Sequence, residues 1–198
     1  MPKTYQNTTI YEVNTLTSFM KVKGDSFNLG KVKFSFVNYD KSKSQGEQVL
    51  DSKDFYLDMN EALYLCEEIL NKNLLIKLKK ERDKNEKYPE AVWTAQGGIN
   101  ADKAKEKGRT DGMALARVLS IMPGSKKPVI FKFECGPGES TEQGLIVPKW
   151  GNKPESRFYI PTDYKGLKTF AIVLKAHIEG YIAAGYLKTG DDMSTKNK

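Results

Sequence analysis

RFYIPTDYKGLKTFAIVLKAHIEGYIAAGY, from Arg157 to Tyr186, joins a strand to a long amphipathic helix and sets the plan for the rest of the chain. Phe158-Tyr159-Ile160 reads as a short apolar strand that Pro161 stops. Thr162 or Asp163 then caps a helix, because a side-chain oxygen there accepts an orphan backbone N–H. Leu167, Phe170, Ala171, Leu174, Ile178, Tyr181 and Ile182 recur at helical spacing and fall on one stripe. The stripe runs about four turns, enough for the spine of a domain.

A second copy of the unit lies earlier. DFYLDMNEALYLCEEIL, Asp54 to Leu70, has a strand through Phe55-Tyr56-Leu57, a cap at Asp58 and Glu61 placed to close a capping box. Met59, Ala62, Leu63, Cys66, Ile69 and Leu70 form its apolar stripe. Each unit follows a similar strand, GKVKFSFVNYD in one and KPVIFKFECGPG in the other. Each of those strands holds two Phe two residues apart, Phe34 and Phe36, then Phe131 and Phe133. The chain therefore reads as a duplicated α+β module, several strands and then one helix. The repeats span about residues 10–80 and 90–187, with polar, loose ends at 1–9 and 188–198.

A length of 198 residues suits one large domain or two fused small ones. The formal charge of +7 favours a polyanionic partner. Cys66 and Cys135, the sole cysteines, both fall on apolar faces, which predicts buried free thiols and a reducing interior. No apolar run is long enough for a membrane span and no signal or transit peptide is seen, so the expected location is cytoplasmic.

Taken in order, Ile10 to Lys23 alternates, with Met20 and Val22 on one side and Phe19, Lys21 and Lys23 on the other. Lys31 to Tyr39 alternates cleanly, Val32, Phe34 and Phe36 against Lys31, Lys33, Ser35 and Tyr39. Asp40 to Gly46 is a polar hairpin loop, and Gln48 to Leu57 supplies one or two strands. Leu74 to Pro89 turns from apolar to densely charged and reads as a helix tail or short strand followed by the linker between halves. Ala91 to Gln96, Met113 to Ile121 and Val129 to Cys135 are the next strands. Gly97 to Gly112 reads as a long loop, Gly136-Pro137-Gly138 as a strand break, and Leu145 to Trp150 as an extra strand or edge.

Signals for catalysis are poor. His177, the single histidine, sits on the flank of the helix stripe as a boundary side chain, and no Cys/His cluster has metal-ligand spacing. The glycines of GPGES lack the Lys-Ser/Thr ending of a phosphate loop. Neither an enzyme nor a cofactor is expected. What stands out is basic residues interleaved with aromatics on strands. Single-stranded nucleic acid needs both, cations to follow the phosphates and flat rings on which unpaired bases stack. The candidates are Phe19, Lys21, Lys23, Lys31, Lys33 and Tyr39 on the solvent face of the first half. In the second half they are Trp93, Arg117 and Lys132, with Lys149, Trp150 and Arg157 nearby.

GRTDGMALARVLSIMPGSKKPVIFKF followed by RFYIPTDYKGLKTFAIVLKAHIEGYI resembles the strand pair, YIP-type strand end and long helix that close a domain of the Whirly family of single-strand DNA-binding proteins. FYLDMNEALYLCEEIL resembles that family's first helix and its lead-in strand. The resemblance covers about residues 15–187 as pattern more than identity. It implies, as in the related positive cofactor four of transcription, four strands and a helix per unit. Two antiparallel sheets would pack face to face with two crossing helices, in tetramers held by helix contacts. The family's lysine signature KGKAAL is absent. Lys21-Val22-Lys23-Gly24 and Gly30-Lys31-Val32-Lys33 are the nearest stretches. The lack of a transit peptide points to a bacterial, phage or plasmid relative.

The function expected is sequence-tolerant single-stranded DNA binding by stacking and charge, in replication, repair or transfer. The alternatives are RNA binding, and a basic protein-interaction or transcription-regulating module. A homo-oligomer is expected, tetramer favoured, because the apolar Ile172 and Val173 lie beside a helix stripe that already fills one face.

Overall fold

The computed structural model describes residues 8–84 and 89–195, with side chains described as far as residue 186. Strands β1 (Thr9–Asn14), β2 (Ser18–Lys23), β3 (Lys31–Tyr39) and β4 (Val49–Asp58) form one antiparallel sheet in that order. Helices α1 (Met59–Leu70) and α2 (Asn73–Asp83) follow. The second sheet holds β5 (Trp93–Ile99), β6 (Ala114–Met122), β7 (Val129–Ser140), β8 (Ile146–Pro148) and β9 (Ser156–Thr162), with both β8 and β9 paired to β7. A short helix α3 (Ala101–Glu106) links β5 to β6, and α4 (Tyr164–Thr195) ends the chain. Both sheets are antiparallel and α1 or α4 follows each, while α2, α3 and a fifth strand in the second sheet are additions to the expected four strands and one helix per unit.

The paired phenylalanines make the seam. Alternation turns Phe34 and Phe36 of β3, Phe55 of β4, Phe131 and Phe133 of β7 and Phe158 of β9 to the inside, all fully buried or nearly so. Phe36 and Phe133 stack across the two sheets with ring centroids 4.8 Å apart and planes 8° from parallel. Phe158 and Phe55 close around that pair at 5.8 and 6.0 Å from Phe133. Phe170 of α4 stands edge-on to Phe131 at 5.4 Å and tilted to Phe34 at 6.1 Å, so the long helix is seated on both repeats at once. Leu167, Ala171, Leu174 and Ile178 are buried with it, whereas Tyr181 and Ile182 at the end of the expected stripe are exposed. Tyr181 still reaches Phe27, edge-on at 5.3 Å.

Caps and breaks differ from expectation in instructive ways. Asp163 caps α4 as predicted, its carboxylate accepting the Gly166 N–H at 2.7 Å. Asp58 makes no such bond to α1. Its carboxylate is taken by Lys31 Nζ at 2.7 Å on the neighbouring strand, and the first N–H of the helix goes to the Gly30 carbonyl instead. Leu65 joins the buried side of α1, while Leu63 and Leu70 lie at its margin. The stretch after α1 is a second helix and not a strand. Lys72 takes the left-handed conformation, φ 67°, to start it, and Leu74 and Leu78 are buried. Part of the linker expected beyond it, 85–88, lies outside the described residues. Within 97–112 the chain continues β5 and then forms α3, capped by the Asn100 side chain at 3.0 Å from the Lys103 N–H.

Two expected strand breaks are absent. Pro161 remains in β9 opposite Ile130, tolerated because β9 is the outer strand at that side of its sheet. Gly136-Pro137-Gly138 continues β7. The glycines are there because the segment 146–155 lies on the strand. A methyl group at Gly136 would stand 3.1 Å from the Trp150 ring, and one at Gly138 would stand 2.7 Å from Ala116 Cβ and 3.0 Å from Ile146. Of the ends expected to be loose, 1–7 and 196–198 lie outside the described residues. The backbone of 188–195 continues α4, since helical hydrogen bonding does not stop where the apolar stripe does.

Among the described residues no helix is long and apolar enough to cross a membrane.

Removing half of the central stack tests the seam. Phe36→Ala is expected to lose about 3–5 kcal/mol of unfolding free energy in a urea titration, and a loss below about 1 kcal/mol would mean that the two sheets do not depend on this contact. A second check uses the thiols, both free and buried. Burial pushes the Cys66 thiol up to about 12 and raises that of Cys135 as well. A disulfide reagent at pH 8 should leave both untouched in the folded protein and modify both in urea. Rapid reaction of either without denaturant would show that its side of the core opens.

Candidate nucleic-acid interface

Alternation fixes which side chains point away from the seam. On the first sheet Phe19, Lys21 and Lys23 of β2 and Lys31, Lys33 and Tyr39 of β3 share the outer face, as predicted. Lys23 stands opposite Lys33, and Lys33 opposite Tyr56 of β4. Tyr56, 42% exposed, belongs to the same face. The cations and rings interleave. Lys21 Nζ lies 5.3 Å from the Phe19 ring centroid, Lys33 5.9 Å from Tyr56, and Lys41 5.7 Å from Tyr39, with Phe19 and Tyr39 themselves 5.9 Å apart.

This face is not a bare cationic stripe. Lys21 pairs with Glu12 at 3.3 Å, Lys31 with Asp58 at 2.7 Å, and Lys33 with Asp54 at 3.2 Å and Asp25 at 4.0 Å. Partial burial would lower the Lys33 ammonium, but the Asp54 hydrogen bond and the charges around it outweigh that and raise it, so Lys33 stays charged. The pairs are exposed enough to be worth little each, and a phosphate competes for the same ammonium groups.

The second-half candidates separate into three places. Lys132 and Arg157 lie on the outer face of the second sheet and share Glu134, each at 2.8 Å. Lys149 and Trp150 belong to the segment that crosses the far end of that sheet, Lys149 paired with Glu139 at 2.5 Å and Trp150 against Gly136. Trp93 and Arg117 are corrections. Register pairs Trp93 with Ile121 and Arg117 with Cys135, which puts both on the inward side beside Leu119 and Phe133. Trp93 packs against the core and the Arg117 Nε is buried. The parity of a short strand beginning at residue 93 is set by its partner, β6, and the isolated sequence does not reveal it.

The rim where the two sheets meet brings together residues the sequence reading passed over. β9 abuts the first sheet through its outward carbonyls: the Asn38 side chain donates to the Arg157 carbonyl at 3.3 Å and the Ser18 hydroxyl to that of Tyr159 at 3.5 Å. Two open hollows flank the β1–β2 turn there. One, about 720 Å3, is lined by Asn14, Lys126, Lys127, Tyr159 and Pro161 among others. The other, about 640 Å3, is lined by Asn38, Tyr39, Lys41 and Leu50 among others, and Leu16 and Thr17 border both. Asp40 is occupied in its own turn. Its carboxylate accepts from the Ser42 hydroxyl and N–H, which hold it below its ordinary range. Lys127 lies 4.0 Å from Asp163, and Lys126 makes no ion pair among the described residues.

Tyr159, 45% exposed, stands opposite Lys132 in the strand register, so the first hollow opens onto the outer face of the second sheet. The signal for both tyrosines was present. In Phe55-Tyr56-Leu57 and Phe158-Tyr159-Ile160 the flanking residues are the core pair, which leaves the tyrosine pointing out. Lys126 and Lys127 are adjacent cations in the β6–β7 turn. Among the described residues no group of His, Cys, Asp and Glu is placed to hold a metal ion, and His177 is exposed on α4.

No family model matches the chain, and no curated protein matches it. Among solved structures it is similar to the plant transcriptional regulator PBF-2, at 13% identity over 88% of this chain and 84% of that one, with a TM-score of 0.45. It is also similar to WHY1 from Arabidopsis thaliana, at 13% identity over 91% and 90% of the two chains, with a TM-score of 0.42. The chain's own two antiparallel sheets, of four and five strands, with α1 after the first and α4 after the second, are the α+β arrangement expected from the sequence.

Proposed function

We propose that the chain is a non-enzymatic, cytoplasmic protein that binds single-stranded DNA with little regard to sequence. The observation that carries this reading is the rim. Two outward tyrosines, Tyr39 and Tyr159, stand in neighbouring hollows with Lys41, Lys126 and Lys127 around them. Tyr159 is exposed and Tyr39 half-buried; such rings offer faces to unpaired bases, whose own faces are covered in a duplex, and the lysines supply the charge that phosphates need. From the rim the path continues over Phe19, Lys21, Lys23 and Lys33 on one side and Lys132 and Arg157 on the other. There the existing acid partners of the lysines give way to phosphate.

The protein works as an assembly in this reading. Among the described side chains Ile178 is the last buried one of α4, yet the helix continues to Thr195. Isolated helical turns are marginal in water, and Tyr181, Ile182 and Tyr186 are exposed along the first turns beyond it. A second copy of this helix is the natural cover, and Ile172, 50% exposed, adds an apolar point on the same element. A homo-oligomer, tetramer favoured, would join rims and raise avidity without new chemistry.

Fluorescence anisotropy with single-stranded DNA, RNA and duplex of equal length tests the ligand class. Single-stranded DNA should bind best, with log affinity falling against log salt by about 0.7 per phosphate neutralised. Equal affinity for duplex, or no salt dependence, would refute the reading, and preference for RNA would replace it with the RNA-binding alternative. Tyr159→Ala should cost about 1–3 kcal/mol of binding, and Lys126→Glu with Lys127→Glu should weaken binding and flatten the salt slope by about 1.4. Lys21→Glu with Lys23→Glu should also weaken binding if the path extends over the first sheet. In light scattering, wild type should exceed monomer mass and Ile172→Glu should approach it. A wild type that is monomeric at micromolar concentration would remove the assembly from the proposal.

A further inference from the structure

Leu16 is 83% exposed at the tip of the β1–β2 turn, on the border shared by the two hollows. A single exposed leucine is ordinary on a protein surface. This one is unusual because the turn that carries it is pinned from both sides. The Tyr39 hydroxyl donates to the Thr15 carbonyl and the Tyr39 N–H donates to the Thr17 carbonyl at 2.8 Å. Within the turn, the Thr15 N–H donates to the Ser18 carbonyl at 2.8 Å and the Ser18 N–H to the Thr15 hydroxyl at 2.9 Å. The residue before Leu16 and the residue after it are thus both fixed to the tyrosine of one hollow. The next strand residue, Ser18, touches the backbone of the tyrosine of the other at 3.5 Å. The backbone on either side of Leu16 is fixed between the two hollows, and its side chain is exposed on their shared border.

We infer that Leu16 is a wedge that separates two successive bases of the bound strand, one directed to Tyr39 and the other to Tyr159. This rests on the single-strand reading above and adds a ligand preference to it. An apolar side chain inserted at a base step breaks the stacking there and gains contact with the bases it parts. The cost of that break depends on the strand. Adenine tracts are stacked before they bind and lose that stacking at the wedge, whereas thymine tracts have little to lose. The protein therefore prefers weakly stacked, pyrimidine-rich strands, a preference that arises from strand stiffness and involves no reading of base edges. Charge complements the choice of occupant, since Lys41 on one side of the wedge and Lys126 and Lys127 on the other stand where the flanking phosphates run.

The experiment is an anisotropy titration of wild type, Leu16→Ala and Leu16→Phe against thymine and adenine oligonucleotides of roughly 12 nucleotides. Because the side chain is exposed, truncation leaves the fold intact, and circular dichroism confirms it. Wild type should prefer the thymine tract. Leu16→Ala should lose about tenfold on thymine and clearly less on adenine, because the lost contact is offset there by the stacking regained, so the two affinities converge. Leu16→Phe should keep the wild-type preference. Unchanged affinities in Leu16→Ala, or equal losses on both tracts, would overturn the wedge while leaving single-strand binding standing. A wild type that binds neither tract would overturn the single-strand reading and the wedge with it.

Discussion

The stack of Phe36 on Phe133 is the contact through which one half of the chain holds the other. Each sheet alone has a single apolar face, and a sheet with one face uncovered is not stable in water. At 4.8 Å and nearly parallel, the two rings set the spacing and register at which all the other inward side chains meet. The ring of Phe170 then ties α4 to Phe34 and Phe131, one from each repeat. Rim, hollows and outer faces exist where they do because this seam fixes how the sheets lie. Slip the pairing of a strand by one residue and its outward lysines and tyrosines would change sides.

Much of this was legible in the chain itself. The Phe-x-Phe pairs, the strand-to-helix units and the alternation of β2 and β3 are local patterns of period two or 3.6, and local patterns survive folding when the hydrophobic face is wide. The positions of Phe19, Lys21, Lys23, Lys31, Lys33 and Tyr39 followed from that alternation alone. What failed depended on partners remote in sequence. The face taken by Trp93 and Arg117 is decided by pairing with Ile121 and Cys135. Gly136 and Gly138 are required by Trp150 and Ile146, which arrive from a later segment, and by Ala116 of β6. Asp58 read as a cap, and became an ion-pair partner because Lys31 is its neighbour across the sheet. The rim was invisible for the same reason: Leu16, Tyr39, Lys126 and Tyr159 come from four separate stretches.

The electrostatics of the first sheet bear on how such a surface behaves when empty. Glu12, Asp25, Asp54 and Asp58 keep Lys21, Lys31 and Lys33 engaged. A sheet carrying like charges on adjacent strands would strain itself, and the acids relieve that repulsion. They also hold the ammonium groups in place above the strands, which lowers the side-chain entropy lost when an anion replaces the carboxylate.

The segment 146–155, lying across Gly136 and Gly138, limits how this chain can vary over time. Gly136 and Gly138 leave room that Trp150 and Ile146 fill to contact distance, and Ala116 shares the same space. Packing constrains the summed volume at these positions more than the volume of any one residue. A larger side chain at 138 would press on both 116 and 146, and a lost indole at 150 would uncover one side of Gly136, whose other near neighbours are Pro154 and Glu155. Substitutions across this layer must therefore travel together, so that residues spread between 116 and 150 would drift as one unit while the lysines on the open faces change independently.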